Sequence, residues 1–191
     1  MWPITLRGEQ IELRAPRFSD RRHWNRVRAE NRDWLAPWEA TLPQAPGGAP
    51  ASEFISKRPS FYSMVRVLNS EARAGRSYSF MVWHGNNLVG QITMGGVIYG
   101  ALRGAHIGYW IDKNYAGRGF TTDAVNTLTR FAFEGLALHR IEINIRPENA
   151  ASIRVAEKAG YTFESDRPEF LHIAGAWRDH KSFVKVNDLV K

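Results

Sequence analysis

The chain has 191 residues, 43% of them hydrophobic, which is enough to fill one core, so we expect a single domain over residues 1–191. Cysteine is absent, which excludes a disulfide framework, a thiolate metal site and a cysteine nucleophile. The net charge of +7 favours phosphate-bearing or acidic partners, but the 26 basic residues are spread along the chain, so we expect no direct binding of nucleic acid.

Targeting and metal signals are equally sparse. The first residues lack the basic start and continuous apolar core of a secretory signal, and no run approaches eighteen apolar residues. We therefore expect a cytoplasmic protein that does not associate with membranes. The six histidines are scattered without paired spacing, so we expect no metal.

The N-terminal part of the chain predicts a strand, a helix and an aromatic loop. Residues 10–14 alternate polar and apolar side chains, as a half-buried strand does. Ser19 is expected to cap a helix that runs to about Asn31. Residues 31–39 are rich in aromatic side chains and broken by Pro37, and we interpret them as a loop that packs on the domain or walls a substrate pocket.

Periodicity and turn residues predict the remaining elements. Residues 44–52 are rich in Pro and Gly and predict a surface loop, and residues 53–74 predict a short helix followed by a longer one that ends at Gly75. Strands are predicted over residues 78–83, 88–98, 105–111, 140–145, 170–173 and 178–186, and helices over residues 122–133 and 149–159. This order predicts a mixed α/β sheet with crossover helices rather than an alternating doubly wound fold.

The segment Tyr115-Ala116-Gly117-Arg118-Gly119 lies between the predicted strand 105–111 and the helix after it. Glycines there allow positive φ and a close approach of the backbone to a ligand, and the first helical turn attracts an anion. The sequence contains neither a Gly-x-x-x-x-Gly-Lys-Ser/Thr motif nor a Gly-x-Gly-x-x-Gly motif followed by a ribose-binding acid. The passage is therefore either a tight connection or a pyrophosphate loop of another kind.

Four segments in order make the chain resemble the GNAT superfamily of acetyl-CoA-dependent N-acetyltransferases, and within it the RimJ and RimL type, which acetylates the N-terminal amine of ribosomal proteins. They are ENRDWLAPWE at 30–39, HIGYWI at 106–111 with the glycine loop, RPENAAS with EKAGY within 146–161, and GAWRDH at 175–180. The resemblance implies a central, mostly antiparallel sheet with a V-shaped splay, flanked by helices. It places acetyl-CoA in the V, between the strand ending at Ile111 and the strand ending at Ile145.

The resemblance also implies which residues contact acetyl-CoA. The set is Tyr109, Trp110, Ile111, Tyr115, Ala116, Gly117, Arg118, Gly119, Phe120, Thr121, Asn149 and Ser152. Asn149 would touch the pantetheine, and the Ser152 hydroxyl would protonate the departing thiolate; without the resemblance, both residues are ordinary at a helix start. Relatives that use a later tyrosine for this proton have it where this chain has Ala156. Asp123 replaces a common Glu, a change expected to be neutral.

Amide formation from a thioester needs a neutral amine, a polarised carbonyl and a stabilised thiolate. An α-amine has a reference pKa near ~8 against roughly 10.4 for lysine, so a weak base is sufficient. Glu39 and His106 are the two candidates; an acid in a loop is otherwise solvent-exposed, and a strand histidine is otherwise structural. A backbone N–H within residues 108–110 would polarise the carbonyl. Trp34, Trp38 and Glu39 would shape the acceptor pocket.

We therefore expect transfer of an acetyl group from acetyl-CoA to the N-terminal α-amine of a protein that begins with Ala or Ser, by direct attack in a ternary complex. The acceptor would be a ribosomal protein, and the enzyme a monomer or homodimer. Two alternatives stay open. One is a small-molecule amine as acceptor, such as an aminoglycoside or polyamine. The other is a non-catalytic module that docks on the ribosome.

Overall fold

The computed structural model describes residues 2–43 and 59–190, which form one sheet with helices on both faces. The strands are β1 (Thr5–Arg7), β2 (Glu12–Arg14), β3 (Tyr78–His84), β4 (Asn87–Ile98), β5 (Gly104–Ile111), β6 (Arg140–Ile145), β7 (Thr162–Ile173) and β8 (Ala176–Val186). The α-helices are α1 (Arg21–Glu30), α2 (Arg32–Leu35), α3 (Phe61–Arg73), α4 (Phe120–Arg130) and α5 (Ala150–Lys158). The loop predicted at 44–52 and the short helix predicted before residue 59 lie outside the described residues.

The sheet opens at its one parallel pair. Its order is β1-β2-β3-β4-β5-β6-β8-β7, and each neighbouring pair of these described strands is antiparallel except β5 and β6. These two strands pair only where residues 104–106 face residues 140–142. Beyond that point residues 107–111 and 143–145 diverge towards the carboxyl ends of the strands. The predicted mixed, mostly antiparallel sheet with a V-shaped splay is confirmed.

The sheet divides the core into two layers. Side chains alternate between the two faces along β6, so Ile141, Ile143 and Ile145 point into the larger layer, which α4 and α5 cover. Val27 of α1 and Val65 of α3 pack with residues of β3 and β4 in the smaller layer on the other face. Trp24, Met64 and Trp110 are only partly buried at the rim of this smaller layer, so their side chains are available to form the wall of a cleft.

Two local predictions near the N-terminus are wrong. Ser19 lies inside a 3-10 turn (Phe18–Asp20), and Asp20 precedes α1, with its carboxylate accepting a hydrogen bond of 2.8 Å from the N–H of Arg17. Residues 31–39 are not a loop: α2 is followed by a 3-10 turn over Ala36–Trp38. Pro37 is tolerated at the start of that turn, where its missing N–H would have had no partner.

Two edge strands differ from the prediction. β1 was not predicted, and β7 begins at Thr162 rather than near residue 170. An edge strand has one neighbour and is little buried, so its side chains need not alternate between polar and apolar. Most of β7 is exposed or half-buried, in agreement with this reasoning.

Asp123, in the first turn of α4, ties this helix to the turn between β1 and β2. Its two carboxylate oxygens accept hydrogen bonds from the N–H groups of Glu9 at 3.0 Å and Gln10 at 2.7 Å. Gly8 makes room for the carboxylate, because a Cβ there would lie 2.5 Å from Oδ1. The turn therefore has both the N–H donors and the space that an aspartate carboxylate at position 123 requires.

We expect Asp123→Asn to lower the free energy of unfolding by about 1–2 kcal/mol, since the amide loses the charge that strengthens both hydrogen bonds, keeps only one acceptor oxygen and sets its NH2 against the other N–H group. Asp123→Glu should also be destabilising, contrary to the neutrality expected from the sequence, because the added methylene pushes the carboxylate towards Gly8. Urea unfolding measures both. Asp166→Asn is the control: its carboxylate pairs with exposed Lys181 at 3.1 Å and should change stability by less than about 0.5 kcal/mol. Equal losses for Asp123→Asn and the control would contradict this account.

Candidate active site

Two adjoining clefts lie where β5 and β6 diverge. The first, which we name the splay cleft, has a volume of about 240 Å³ and lies between the two strands, with α5, β7 and β8 around it. The second, the aromatic cleft, has a volume of about 440 Å³ and is lined by residues that include Trp24, Arg28, Trp38, Glu39, Met64 and Trp110. Trp38 and Tyr109 line both clefts. They form a shared wall, so groups bound in the two clefts can meet there.

The glycine loop, residues 115–119, leads from β5 to the start of α4. Gly117 and Gly119 have φ of +77° and +86°, the left-handed region that favours glycine. Within the described part of the chain, no backbone carbonyl accepts a hydrogen bond from the N–H groups of residues 117–122. These donors and the dipole of α4 make the loop suitable for a pyrophosphate.

Asp112 holds the residues that precede the loop. It is buried, and its Oδ1 accepts a hydrogen bond of 3.0 Å from the N–H of Asn114. Its backbone carbonyl accepts another, at 2.9 Å, from the N–H of Tyr115. The loop therefore leaves β5 through a turn that these two hydrogen bonds hold.

Asn149 and Ser152 meet Tyr109 at the first turn of α5. Asn149 caps the helix, with its Oδ1 accepting a hydrogen bond of 3.1 Å from the N–H of Ser152. The Ser152 hydroxyl lies 2.8 Å from the Tyr109 phenol, which can also donate to the Ser152 carbonyl at 3.3 Å. When the phenol donates to Ser152 Oγ, the serine hydrogen is free to point into the splay cleft.

Tyr109 is the residue whose role the sequence did not indicate. Burial raises the pKa of its phenol to about 12, so it stays protonated and can supply a proton to Ser152. The sequence placed Tyr109 among the cofactor contacts and sought a proton-donating tyrosine on α5, where Ala156 is fully buried. Strand alternation was the available signal, because Tyr109 shares a face of β5 with buried Ile107.

Glu39 lies in the aromatic cleft as half of an ion pair. Its carboxylate accepts a hydrogen bond from Arg28, and both side chains are about a quarter exposed. The Arg28 guanidinium also lies over the rings of Trp24 and Trp110, at 5.8 and 5.3 Å from their centroids. The positive charge of Arg28 therefore compensates the negative charge of the Glu39 carboxylate.

His106 lies on the sheet face that also carries Gly108 and Trp110, opposite the face of Tyr109. Its ring rests on two glycines: a Cβ on Gly95 would lie 2.9 Å from His106 Nε2, and one on Gly96 would lie 3.0 Å from its Cε1. His106 as a residue is exposed and is not among the residues that line the two clefts, but desolvation of its ring lowers its pKa, and nearby Glu142 opposes the shift. The imidazole is therefore neutral at neutral pH and can accept a proton.

The two tryptophans predicted to contact the acceptor lie in different places. Trp38 is in the shared wall, with the Arg146 guanidinium 5.3 Å from the centroid of its ring. Trp34 is 41% exposed, and its indole N–H donates a hydrogen bond of 3.1 Å to the carbonyl of Ile111 at the end of β5.

The sequence assigned no role in the site to two further polar side chains of the splay cleft. Asn144 Oδ1 is buried without a hydrogen-bond partner in residues 2–43 and 59–190. His180 is 3% exposed; its Nδ1 lies 2.9 Å from the carbonyl of Arg178, and its burial lowers its pKa. Both line the cleft and can bind polar groups of a ligand.

A sheet splayed at a parallel pair, a loop of unpaired N–H groups at one strand end and a pair of hydroxyls between the strands are the arrangement that an acyl-transfer enzyme requires. The chain belongs to the acetyltransferase (GNAT) domain family, whose sequence model matches residues 10–162. The resemblance noted in the sequence is thereby confirmed.

Named relatives extend over most of the chain. It is 30% identical to a probable N-acetyltransferase, YjcK, of Bacillus subtilis, over 95% of this chain and 97% of the relative. It is 25% identical to the ribosomal protein uS5-alanine N-acetyltransferase of Escherichia coli, over 80% and 75%. Mycobacterium smegmatis RimJ, solved with a CoA disulfide, has a TM-score of 0.87 and 32% identity, covering 99% of this chain and 90% of that one. The chain is thus an acetyltransferase related to ribosomal-protein acetyltransferases.

The described residues hold neither a membrane-spanning helix nor a metal-binding cluster. No helix within residues 2–43 and 59–190 is long and apolar enough to cross a membrane. In the same ranges no group of three or more His, Asp or Glu side chains could hold a metal ion.

Proposed function

We propose that the protein transfers an acetyl group from acetyl-CoA to the N-terminal α-amine of a protein that begins with Ala or Ser. The observation that supports this proposal is the wall of Trp38 and Tyr109, which lines both clefts, so that an amine in the aromatic cleft would meet a thioester in the splay cleft there. The uS5-alanine relative supports a ribosomal protein as acceptor, and hence the cytoplasm as the place of reaction.

Acetyl-CoA would bind across the loop and the splay cleft. The N–H groups of residues 117–122 would hold the pyrophosphate, with Tyr115 and Ala116 leading into the loop and Arg118 adding a positive charge. The pantetheine would run between the diverging strands, along residues 109–111 and past Asn149. Its amides can then form hydrogen bonds with backbone groups of residues 107–111 and 143–145, which β5 and β6 do not use to pair with each other.

Ser152 and Tyr109 would protonate the leaving group. The amine nitrogen bonds to the acetyl carbon, the carbon–sulfur bond breaks, and the thiolate takes the proton of Ser152. Tyr109 donates its proton to Ser152 Oγ, at 2.8 Å in this structure, and its phenolate then takes a proton from solvent, while the proton that the attacking amine loses goes to the base. A backbone N–H within residues 108–110 would stabilise the charge that develops on the carbonyl oxygen.

His106 and Glu39 would have different roles at the acceptor amine. His106 is the proposed base, because its imidazole is neutral at neutral pH and the α-amine needs only a weak acceptor. Glu39, whose carboxylate accepts a hydrogen bond from Arg28, is proposed to orient the acceptor amine or a water rather than to act as the base. With the charge of Glu39 compensated, the aromatic cleft suits a peptide N-terminus better than a polyamine.

The experiment that tests the proposal measures thiol release from acetyl-CoA with short peptides that differ only at the first residue. An N-terminally blocked lysine peptide and a polyamine are the controls. We expect release with Ala-first and Ser-first peptides and none with the blocked one. Release with the polyamine alone would reject the proposed acceptor. Binding of acetyl-CoA without turnover of any acceptor would favour a non-catalytic module.

The pH dependence tests His106. Because its folded pKa is lowered from 6.5, the reactive neutral form is lost only as pH falls below that value. Because the substrate amine must be neutral, kcat/KM should fall below the amine pKa near ~8 in every variant, and in the wild type it should fall more steeply below the pKa of His106. His106→Ala should abolish this steeper limb and lower kcat/KM at pH 7.5 by roughly 10- to 100-fold. His180→Gln is the control, since the pKa of His180 is lowered too. If that variant loses the limb and His106→Ala keeps it, the base has been assigned to the wrong histidine.

A further inference from the structure

Residues 31–38, which we name the strap, are tied to the β5 arm of the V at two points. Asn31 is 0% exposed; its Oδ1 accepts a hydrogen bond of 2.8 Å from the N–H of Lys113, and its Nδ2 donates one of 2.9 Å to the carbonyl of Val27. Trp34 Nε1 donates to the carbonyl of Ile111 at 3.1 Å. These two side chains join the end of α1 and all of α2 to the residues that lead into the glycine loop.

The other end of the strap is tied to the β6 arm. Arg146, the residue after β6, donates a hydrogen bond of 2.8 Å from Nη1 to the carbonyl of Pro37, and its guanidinium lies 5.3 Å from the centre of the Trp38 ring. Beyond the strap, Thr41 N–H donates to the carbonyl of His172 in β7 at 2.9 Å. The strap therefore spans the open end of the V and contacts both of its arms.

The strap also belongs to the aromatic cleft, whose wall includes Leu35 and Trp38. We infer that the strap couples the two clefts: Asn31, Trp34 and Arg146 are positioning residues through which an acyl-CoA bound in the V fixes the wall against which the acceptor binds. That the ligand of the aromatic cleft is the acceptor rests on the proposed function, whereas the link that the strap makes between the two clefts does not.

The physical basis is the position of the anchors. Lys113 stands between Asp112 and the glycine loop, so a ligand that orders the loop also orders the N–H that Asn31 accepts. A ligand that sets the separation of the arms fixes both ends of the strap at once. Because coupling between two binding sites is reciprocal, an acceptor that orders the strap must tighten acyl-CoA binding by the same factor.

Hydrogen exchange with CoA alone tests the link without any acceptor. In the wild type we expect saturating CoA to slow exchange over residues 32–38 by at least about fivefold, along with residues 113–122. Trp34→Phe keeps an aromatic ring but removes the indole N–H, and should lose most of the protection of the strap while the loop stays protected. Trp2→Phe is the matched control, because the Trp2 indole N–H donates to Asn69 Oδ1 and its ring packs on Tyr78 and Phe80, outside the strap and both clefts, and it should behave as the wild type. Unchanged strap exchange in the wild type, or full protection in Trp34→Phe, would overturn the inference.

Binding of an Ala-first peptide with and without saturating CoA supplies the second readout. We expect CoA to raise peptide affinity at least about fivefold in the wild type and less than twofold in Trp34→Phe. A role in folding alone would weaken both ligands and leave the ratio unchanged, which would count against the coupling. If no peptide binds in either state, the proposed acceptor is wrong, and the exchange experiment still decides the link.

Discussion

Replacing Ser152 with Ala should lower kcat by about 100-fold and leave the KM for acetyl-CoA within about threefold of the wild type. The hydroxyl is the proposed immediate donor to the thiolate, and its removal leaves water as the only source of that proton. The backbone N–H of Ser152 keeps its hydrogen bond to Asn149, so the helix start is retained. Steady-state kinetics with the preferred peptide measures both constants.

Tyr109→Phe should also slow protonation of the thiolate, but by less, about 10-fold in kcat, because the Ser152 hydroxyl can still give its own proton to the thiolate. The double variant should be no slower than Ser152→Ala, since the two hydroxyls form one relay. With the pKa of Tyr109 raised to about 12, the relay stays protonated, and wild-type kcat should not decline between pH 8 and 10.

A similar buried pair supplies the control for these substitutions. Tyr161 lies 2.6 Å from the Thr129 hydroxyl, and burial raises the pKa of its phenol as well. Tyr161→Phe removes a comparable hydrogen bond from the core and should cost similar stability with no change in kcat. Equal kinetic losses in Tyr109→Phe and Tyr161→Phe would show that packing, rather than proton supply, sets the rate.

Gly117→Ala should raise the KM for acetyl-CoA at least about 10-fold, because an alanine at φ of +77° strains the loop and its methyl group projects where phosphates would approach. Gly100→Ala is a matched control: Gly100 has φ of +76°, and neither glycine has protein atoms within 4 Å of a built Cβ. Both variants should lose about 1 kcal/mol of stability.

Thermal unfolding and thiol-release kinetics on both variants separate strain from binding. The expected result is the same loss of stability for the two proteins and a raised KM for Gly117→Ala only. A KM that rises equally in both would mean that strain anywhere in the fold weakens binding. An unchanged KM in Gly117→Ala would remove the loop from the binding site.

The sequence predicted the elements whose pattern is repeated over several residues. Ile141, Ile143 and Ile145 alternate because β6 separates core from cleft, and the structure gives β6 the predicted bounds. Gly75 and Gly160 end helices at positive φ, a requirement that is local and visible in the residue type. The family resemblance then predicted the splay, which no local pattern shows.

What the sequence could not show depends on contacts between distant residues. Tyr109 and Ser152 are 43 positions apart, and Trp34 and Ile111 are 77 apart. The aromatic composition of the strap was equally consistent with packing and with substrate contact. Only the fold reveals that Trp38 lines both clefts while Trp34 bonds to a strand end.

The short parallel pairing of β5 with β6 also bears on self-association. Unpaired strand edges are templates for aggregation, and most proteins carry them at the rim of a sheet. Here residues 107–111 and 143–145 present such edges in the interior of the sheet, where α5, β8 and the strap flank the gap. We expect these flanking elements to leave no room for a strand from another molecule, whereas a thin chain of amides and methylenes would fit between the arms. The open backbone groups would then serve a ligand rather than a second copy of the chain.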